Sequence, residues 1–113
     1  MPAFTEKQLG QLRPANTTAA SIYQTPASTT TIITNLTVTN TTAATAKFRV
    51  FHDDNGSTYD ETTALAWDVQ VAPGEAYIIS KVGWLMNDAS GNLAVRTDTA
   101  SALTFTAYGV QMV

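Results

Sequence analysis

Alternation of apolar and polar side chains, broken by turn residues, is the feature of this sequence that most restricts its fold. From residue 20 onward, apolar residues recur at every second position in short runs, and turn signals separate the runs by about eight to twelve residues. Successive side chains of a β-strand point to opposite faces, so this period predicts strands with one face in a core. The pattern is typical of β-sandwiches and barrels and indicates no convincing helix.

The turn signals divide this region into seven or eight strands. Residues 53–57 and 72–75 are the strongest turns, because their Asn, Gly and Pro residues favour the backbone angles of chain reversal. We therefore expect an all-β fold, namely an antiparallel β-sandwich that is jelly-roll-like, while another sandwich topology stays open. The predicted strands are 21–24, 30–40, 44–52, 65–71, 76–82, 93–96 and 102–111.

Alternation also predicts which side chains face the core. Trp67 alternates in phase with its apolar neighbours and is therefore predicted to be a core residue. Ile33 and Phe51 are predicted to lie on the opposite faces of their strands, Phe51 together with Lys47 and Arg49. The residues predicted to share the inward face are, strand by strand, Ile32, Leu36 and Val38; Ala46, Phe48 and Val50; and Leu65, Trp67, Val69 and Val71.

Residues 1–19 lack this alternation, since Pro2, Gly10 and Pro14 interrupt every period. We expect two parts, an extended N-terminal arm over residues 1–19 and a β-sandwich domain over residues 20–113. Leu9 and Leu12 are the main apolar anchors of the arm. A disordered tail is the alternative, because chain ends are commonly loose, and a short helix over residues 6–12 is a weaker one.

The low content of charged residues restricts the kinds of partner that this chain could bind. Charged residues make up 13% of the chain, about half the usual share, and the surface must be largely neutral. Lys and Arg are scattered singly and the net charge is −3, so no nucleic acid partner is expected. No stretch approaches transmembrane length, so we expect no membrane partner. A Thr-rich sheet protein with little charge resists self-association poorly unless its edges are blunted, which makes association a candidate role.

No set of residues predicts catalysis, and we expect neither an enzyme nor a cofactor. The chain has no cysteine, which excludes disulfides and thiolate metal sites. His52 is the one histidine, and its neighbour Asp53 would point to the opposite face of a strand. A nucleophilic triad needs a base held by a third group, and this pair does not predict one.

Two features leave binding chemistry open. Residues 53–61 contain four carboxylates, which suit calcium, but Phe51 stands at the first ligand position of the usual loop pattern. The alternative is a solvated hairpin tip whose Asp and Asn residues serve the turn. Trp84 and Tyr59 are candidates for stacking against a sugar, as in a carbohydrate-binding module.

Six segments in their order along the chain resemble small all-β virion structural proteins of tailed bacteriophages. No single segment is specific, and the resemblance covers nearly the whole chain through their order. The segments are LRPAN at 12–16, SIY at 21–23, TIITNLTVTNT at 31–41, FRVFHDD at 48–54 followed by Gly56, APGE at 72–75 and LTFTAYG at 103–109.

The resemblance implies a protein that decorates or cements the capsid by binding between major capsid proteins, with a homotrimer expected. It implies a place on the capsid exterior of the virion, after assembly in the host cytoplasm. An N-terminal arm commonly locks such contacts, so the expected partner-binding residues are Phe4, Leu9, Leu12 and Arg13. The alternatives are a tail-fibre, baseplate or receptor-binding β domain, and a free carbohydrate-binding module.

Overall fold

Eight β-strands make up the regular structure of residues 4–113, the part of the chain that the computed structural model describes. Residues 1–3, the expected beginning of the arm, lie outside the described residues. No helix occurs in residues 4–113, so this part of the chain contains no helix that could cross a membrane. The strands confirm the all-β class, and they are β1 (Phe4–Leu12), β2 (Ala20–Gln24), β3 (Thr30–Asn40), β4 (Ala46–Asp53), β5 (Ala64–Val71), β6 (Ala76–Met86), β7 (Asn92–Thr97) and β8 (Leu103–Met112).

The strands pair as a nested set. β1 pairs with β8, β2 with β7, β3 with β6 and β4 with β5, all antiparallel, as in one long hairpin rolled up on itself. Pairing of β3 with β8 and of β4 with β7 completes two four-stranded sheets, sheet 1 (β1-β8-β3-β6) and sheet 2 (β2-β7-β4-β5). Eight strands in this order form a jelly roll. The structure therefore confirms the jelly-roll expectation.

The core lies between the two sheets. Ala46, Phe48 and Val50 of β4 face inward, as their alternation predicts, and all three are buried. Phe48 meets the ring of Phe105 from sheet 1 edge to face, with 6.0 Å between the ring centroids. Aromatic pairs of this geometry add about 0.5–1.5 kcal/mol to the stability gained from area burial alone. This contact joins the first half of β4 to the first half of β8 across the core.

Residues 4–12 differ from the expected arm, because they form edge strand β1 of the sandwich. Phe4 pairs with Met112 and Leu12 pairs with Phe105 in the register with β8. The segment is extended, as expected, and is not helical. Pairing with β8 satisfies backbone N–H and C=O groups that a projecting arm would leave to water or a partner. Residues 13–19 connect β1 to β2, so the described chain shows no separate arm ending at residue 19.

A β-bulge in β3 changes which of its side chains face the core. Ile33 pairs with Gly109 of β8 and Asn35 with Tyr108, so Thr34 is an extra residue. Because one extra residue reverses the faces of everything beyond it, Ile33 lies buried on the same side as Leu36. The prediction that Ile32 shares the inward face was wrong, since alternation was counted through the bulge.

A second bulge has the same effect in β5. Phe48 pairs with Val69 and Val50 with Ala66, so β5 has one more residue than β4 over this interval. Asp68 has a φ of 51°, which belongs to the left-handed region. The shift leaves Trp67 on the outer face of sheet 2 with 41% of its surface exposed. The prediction of Trp67 as a core residue was wrong for this reason.

Candidate functional site

The four residues predicted to bind a partner have different surroundings in the structure. Phe4 is 71% exposed at the start of β1. Leu9 and Leu12 are half-buried and pack against the core of their own chain. Arg13 donates from Nε and Nη2 to the carbonyl oxygen of Ser101, at 2.9 and 2.5 Å, and so ties the β1–β2 connection to the β7–β8 loop. Their role in partner binding stays a prediction.

His52 and Asp53 end β4 without forming a catalytic pair. The Nε2 atom of His52 is buried and has no hydrogen-bond partner in residues 4–113. The Asp53 carboxylate instead accepts the backbone N–H groups of Thr58 at 2.8 Å and Asn55 at 3.2 Å. These bonds, the one from Thr58 first, hold the pKa of Asp53 below its usual range. The Asp53 carboxylate thus stabilises the turn over residues 53–58.

The acidic loop is organised by turns within itself. Asp60 accepts the hydroxyl and the backbone N–H of Thr62, and these bonds lower the pKa of Asp60. Asp53 accepts its hydrogen bonds from Asn55 and Thr58, in the first half of the loop. Nowhere in the described residues do three His, Asp or Glu side chains approach closely enough to hold a metal ion. The carboxylates of Asp53 and Asp60 thus serve turns of the loop, as the hairpin-tip interpretation predicts.

The two aromatic candidates for sugar stacking are packed against their own chain. Trp84 is half-buried against the core. Tyr59 lies over Phe51 with 6.2 Å between ring centroids, and burial raises the pKa of Tyr59. Phe51 is on the outer face of sheet 2, as predicted, yet it is 2% exposed because Tyr59 and Trp67 cover it. The exposed aromatic of this face is Trp67.

Charged side chains from three neighbouring strands line a cavity of about 200 Å³ on the outer face of sheet 2. Arg49 donates from Nε and Nη2 to the two carboxylate oxygens of Asp68, at 2.7 and 3.2 Å. Its guanidinium carbon also lies 3.6 Å from the ring centroid of Trp67. The hydrogen bond from Arg49 holds the pKa of Asp68 below its usual range. The residues of this "sheet 2 cavity" are Lys47, Arg49, Asp68, Arg96 and Asp98.

A wider hydroxyl-lined cavity adjoins the first at Arg96. Its volume is about 620 Å³ and Arg96 lines both cavities. Arg96 donates from Nε to the carbonyl oxygen of Thr17 at 2.8 Å, which anchors the β1–β2 connection beside β7. We call the two cavities together the "sheet 2 groove". The second is lined by Thr17, Thr18, Ala19, Ser57, Tyr59 and Arg96.

The outer face of sheet 1 carries several large exposed apolar side chains. One row across this sheet consists of Glu6, Val110, Ile32 and Leu85. Leu85 is 51% exposed, and Ile78 on the same face is 57% exposed. Large exposed apolar residues gathered on one face are typical of interaction surfaces. We define the "sheet 1 face" as Ile32, Ile78, Leu85, Tyr108 and Val110.

No protein-family model and no curated protein matches this chain. Among solved structures, a chain in the structure of infectious bursal disease virus Gx strain is similar, with a TM-score of 0.54 and 15% identity. The similarity covers 99% of this chain and 32% of that chain. A chain from the Gt strain gives a TM-score of 0.48 and 12% identity, over 99% of this chain and 28% of that one. This chain therefore spans about a third of those viral chains, and the Gx likeness shows a shared all-β fold.

Proposed function

We propose that this chain is a structural protein of a virion, which decorates or cements the capsid of a tailed bacteriophage. It binds on the capsid exterior between copies of the major capsid protein, as a homotrimer assembled in the host cytoplasm, and carries out no catalysis. The observation that carries this proposal is the jelly-roll strand order, together with the likeness in fold to a chain from a virus. Jelly rolls are frequent in viral capsid proteins. The phage and decoration roles rest on the sequence resemblance.

The sheet 1 face supports an adhesive role. Its exposed apolar side chains gain about 25 cal/mol for each Å² that a partner covers. The row across Ile32 contains one charged residue, Glu6 at the edge strand, so contact there desolvates little charge. We assign this face to contact with the major capsid protein. A trimer would engage several sites at once, so weak single contacts would add up to firm attachment.

The copy number of the protein in purified virions tests this function. We expect several hundred copies per particle from quantitative mass spectrometry, and particles without the protein should release their DNA at lower temperature than wild-type particles. A few copies per virion would favour the tail-fibre or baseplate alternative. Absence from virions, or equal heat resistance with and without the protein, would contradict capsid cementing.

Paired variants test the face assigned to the capsid. The double variant Ile78→Thr and Leu85→Thr should fold and bind depleted particles much more weakly, because it removes exposed apolar surface from sheet 1. The matched control is Leu65→Thr, which changes a 43% exposed leucine on the outer face of sheet 2. Phe4→Ser tests the N-terminal contact in the same assay. Equal loss of binding in the Leu65 variant would contradict the assignment of this face.

A further inference from the structure

Two arginines face each other on the outer side of sheet 2. Arg49 in β4 pairs directly with Arg96 in β7, and Lys47 lies on the same side two residues before Arg49. Like charges directly opposite each other destabilise a pair of strands. One cavity thus contains three of the six Lys and Arg residues of a chain whose net charge is −3. Asp68 and Asp98 offset part of this repulsion, which leaves three cations against two carboxylates in the lining, and a bound anion would balance the remaining positive charge.

Hydrogen bonds within residues 4–113 leave cationic donors of this cavity unused. Asp68 and Trp67 hold Arg49, through two hydrogen bonds and a stacked ring. Arg96 is engaged through Nε alone, so Nη1 and Nη2 have no partner among the described residues. The same part of the structure shows no hydrogen bond donated by Nζ of Lys47. Lys47 and Arg96 therefore retain charged donors for a ligand that enters the cavity.

The groove also offers acceptors that suit hydroxyl groups. Oδ1 of Asp98 accepts the backbone N–H of Lys47 and the hydroxyl of Thr99, while Oδ2 is not engaged in the described chain. Beyond Arg96, the lining of the wider cavity includes Thr17, Ser57 and Tyr59, whose side chains carry hydroxyl groups. A ligand that uses the whole groove needs one negative group and several neutral groups that donate hydrogen bonds.

We propose that the sheet 2 groove binds a sugar that carries a carboxylate, such as a uronic acid unit within a polysaccharide. The carboxylate lies between Lys47 and Arg96, the sugar hydroxyls donate to Asp98, and adjoining units extend along the hydroxyl-lined cavity. Pockets for drug-sized ligands span roughly 300–1,000 Å³. The first cavity, at about 200 Å³, suits a single ring, and the second, at about 620 Å³, suits its neighbours.

The two carboxylates in the lining decide between an acidic sugar and other anions. Asp68 and Asp98 repel a phosphate dianion or a peptide with several carboxylates more strongly than a ligand with a single negative charge. A uronic acid unit carries one negative charge beside several hydroxyl donors, so it matches the mixture of cations and acceptors. The groove does not depend on the capsid role, since it lies on the sheet opposite the sheet 1 face. On a decorated particle it would face solvent.

Titration of the isotope-labelled full chain with D-galacturonate or D-glucuronate, followed by amide NMR shifts, tests this site. We expect shifts at Lys47, Arg49 and Arg96, and none from D-galactose or D-glucose at the same concentration. Lys47→Gln should weaken uronate binding about tenfold, the loss expected for one charge-assisted hydrogen bond. The matched control, Lys7→Gln on β1 of the other sheet, removes the same charge and should bind as wild type.

Asp98→Asn separates a sugar site from a simple anion site. The substitution should weaken uronate binding relative to acetate, because it removes an acceptor for a sugar hydroxyl, whereas loss of the Asp98 charge alone would strengthen the binding of both anions equally. The proposal is overturned by equal binding of neutral sugars, by an equal loss in the Lys7 variant, or by no shift at millimolar uronate. Tighter binding of inorganic phosphate or of a glutamate-rich peptide than of uronate would also overturn it.

Discussion

Asn40 joins the two sheets at the end of β3. Its side-chain nitrogen donates to the carbonyl oxygens of Ala44 at 2.8 Å and of Val71, the last residue of β5, at 3.0 Å. Its side-chain oxygen accepts the N–H and the hydroxyl of Thr42. Asn40 is 1% exposed, so water cannot replace these partners. One buried amide thus fixes the β3–β4 turn against the end of β5.

Asn40→Ala should lower the free energy of unfolding by about 2–4 kcal/mol, since each buried polar group left without a partner costs roughly 1–3 kcal/mol. Urea denaturation followed by circular dichroism measures the change. Asn87→Ala is the matched control, because Asn87 is exposed and its side chain makes no hydrogen bond within residues 4–113. Equal effects from the two substitutions would show that Asn40 does not link the sheets.

The pair of Arg49 and Asp68 predicts how stability responds to acid. Because the folded pKa of Asp68 lies below the usual value of about 3.9, its contribution is present above that pH and is lost as the pH falls through the folded pKa. Asp68→Asn should therefore lose less stability than wild type on acidification from pH 5 towards pH 2, as measured by urea unfolding at each pH. Gln70→Ala, at an exposed position of the same strand, removes no titratable group and should follow wild type. A wild-type acid response in the Asp68 variant would contradict this role.

Strands β3 and β5 show how far alternation predicts an element. The turn at residues 72–75 was predicted correctly, and Gly74 has a φ of 72° with Glu75 donating back to Ala72. In β4, which pairs with β7 without a bulge from residue 48 to residue 53, the inward side chains were also predicted correctly. Thr34 and Asp68 carry no sequence signal for a bulge, since neither is a glycine or proline. Alternation of side chains along the strand could therefore not predict which faces Ile33 and Trp67 occupy.

The sheet 2 groove could not be predicted for a related reason. Arg96 and Thr17 are 79 residues apart, and they meet because the jelly roll places β7 beside the β1–β2 connection. Of the two aromatic residues predicted to stack against a sugar, Tyr59 lines the wider cavity of the groove, whereas Trp84 packs against the core. The sequence predicted that Lys47 and Arg49 lie on the outward side of one strand. It did not predict which neighbouring strands complete the cavity.

Close packing of β8 against β3 depends on a glycine. A Cβ atom at Gly109 would lie 2.2 Å from the carbonyl oxygen of Ile32 and 2.8 Å from Cδ1 of Leu9. Because the first of these is backbone in a paired strand, it cannot move aside. Gly109→Ala should therefore lower the free energy of unfolding by about 1–3 kcal/mol or more. Thermal unfolding monitored by circular dichroism measures the loss.

Gly83 in β6 provides the control for Gly109, since a Cβ atom there meets nothing within 4 Å. Gly83→Ala should leave the free energy of unfolding within about 0.5 kcal/mol of wild type, as for most surface substitutions. A loss at Gly83 as large as that at Gly109 would mean that glycine is needed in these strands for a reason other than space.

The last strand of the described chain lies inside a sheet and the first lies at its edge. β8 is paired on one side with β1 and on the other with β3. It contributes Leu103, Phe105 and Ala107 to the core, each with no exposed surface. Sheet 1 therefore cannot be completed until the final strand is in place, whereas β1 closes an edge that already exists. We therefore expect more of the fold to depend on β8 than on β1.

Removal of residues 103–113 should abolish the cooperative unfolding transition, because it separates β1 from β3 and takes three fully buried side chains from the core. Removal of residues 1–12 should leave a folded, less stable protein that self-associates through the uncovered edge of β8. Near-ultraviolet circular dichroism and size-exclusion chromatography distinguish these outcomes.

A chain ending at Met112 is the control, since Val113 is exposed and follows β8. A folded monomer after loss of residues 103–113 would contradict the central place of β8. Equal unfolding in both truncations would mean that β1 supports the sandwich as strongly as β8 does, which an edge strand with two half-buried leucines does not predict.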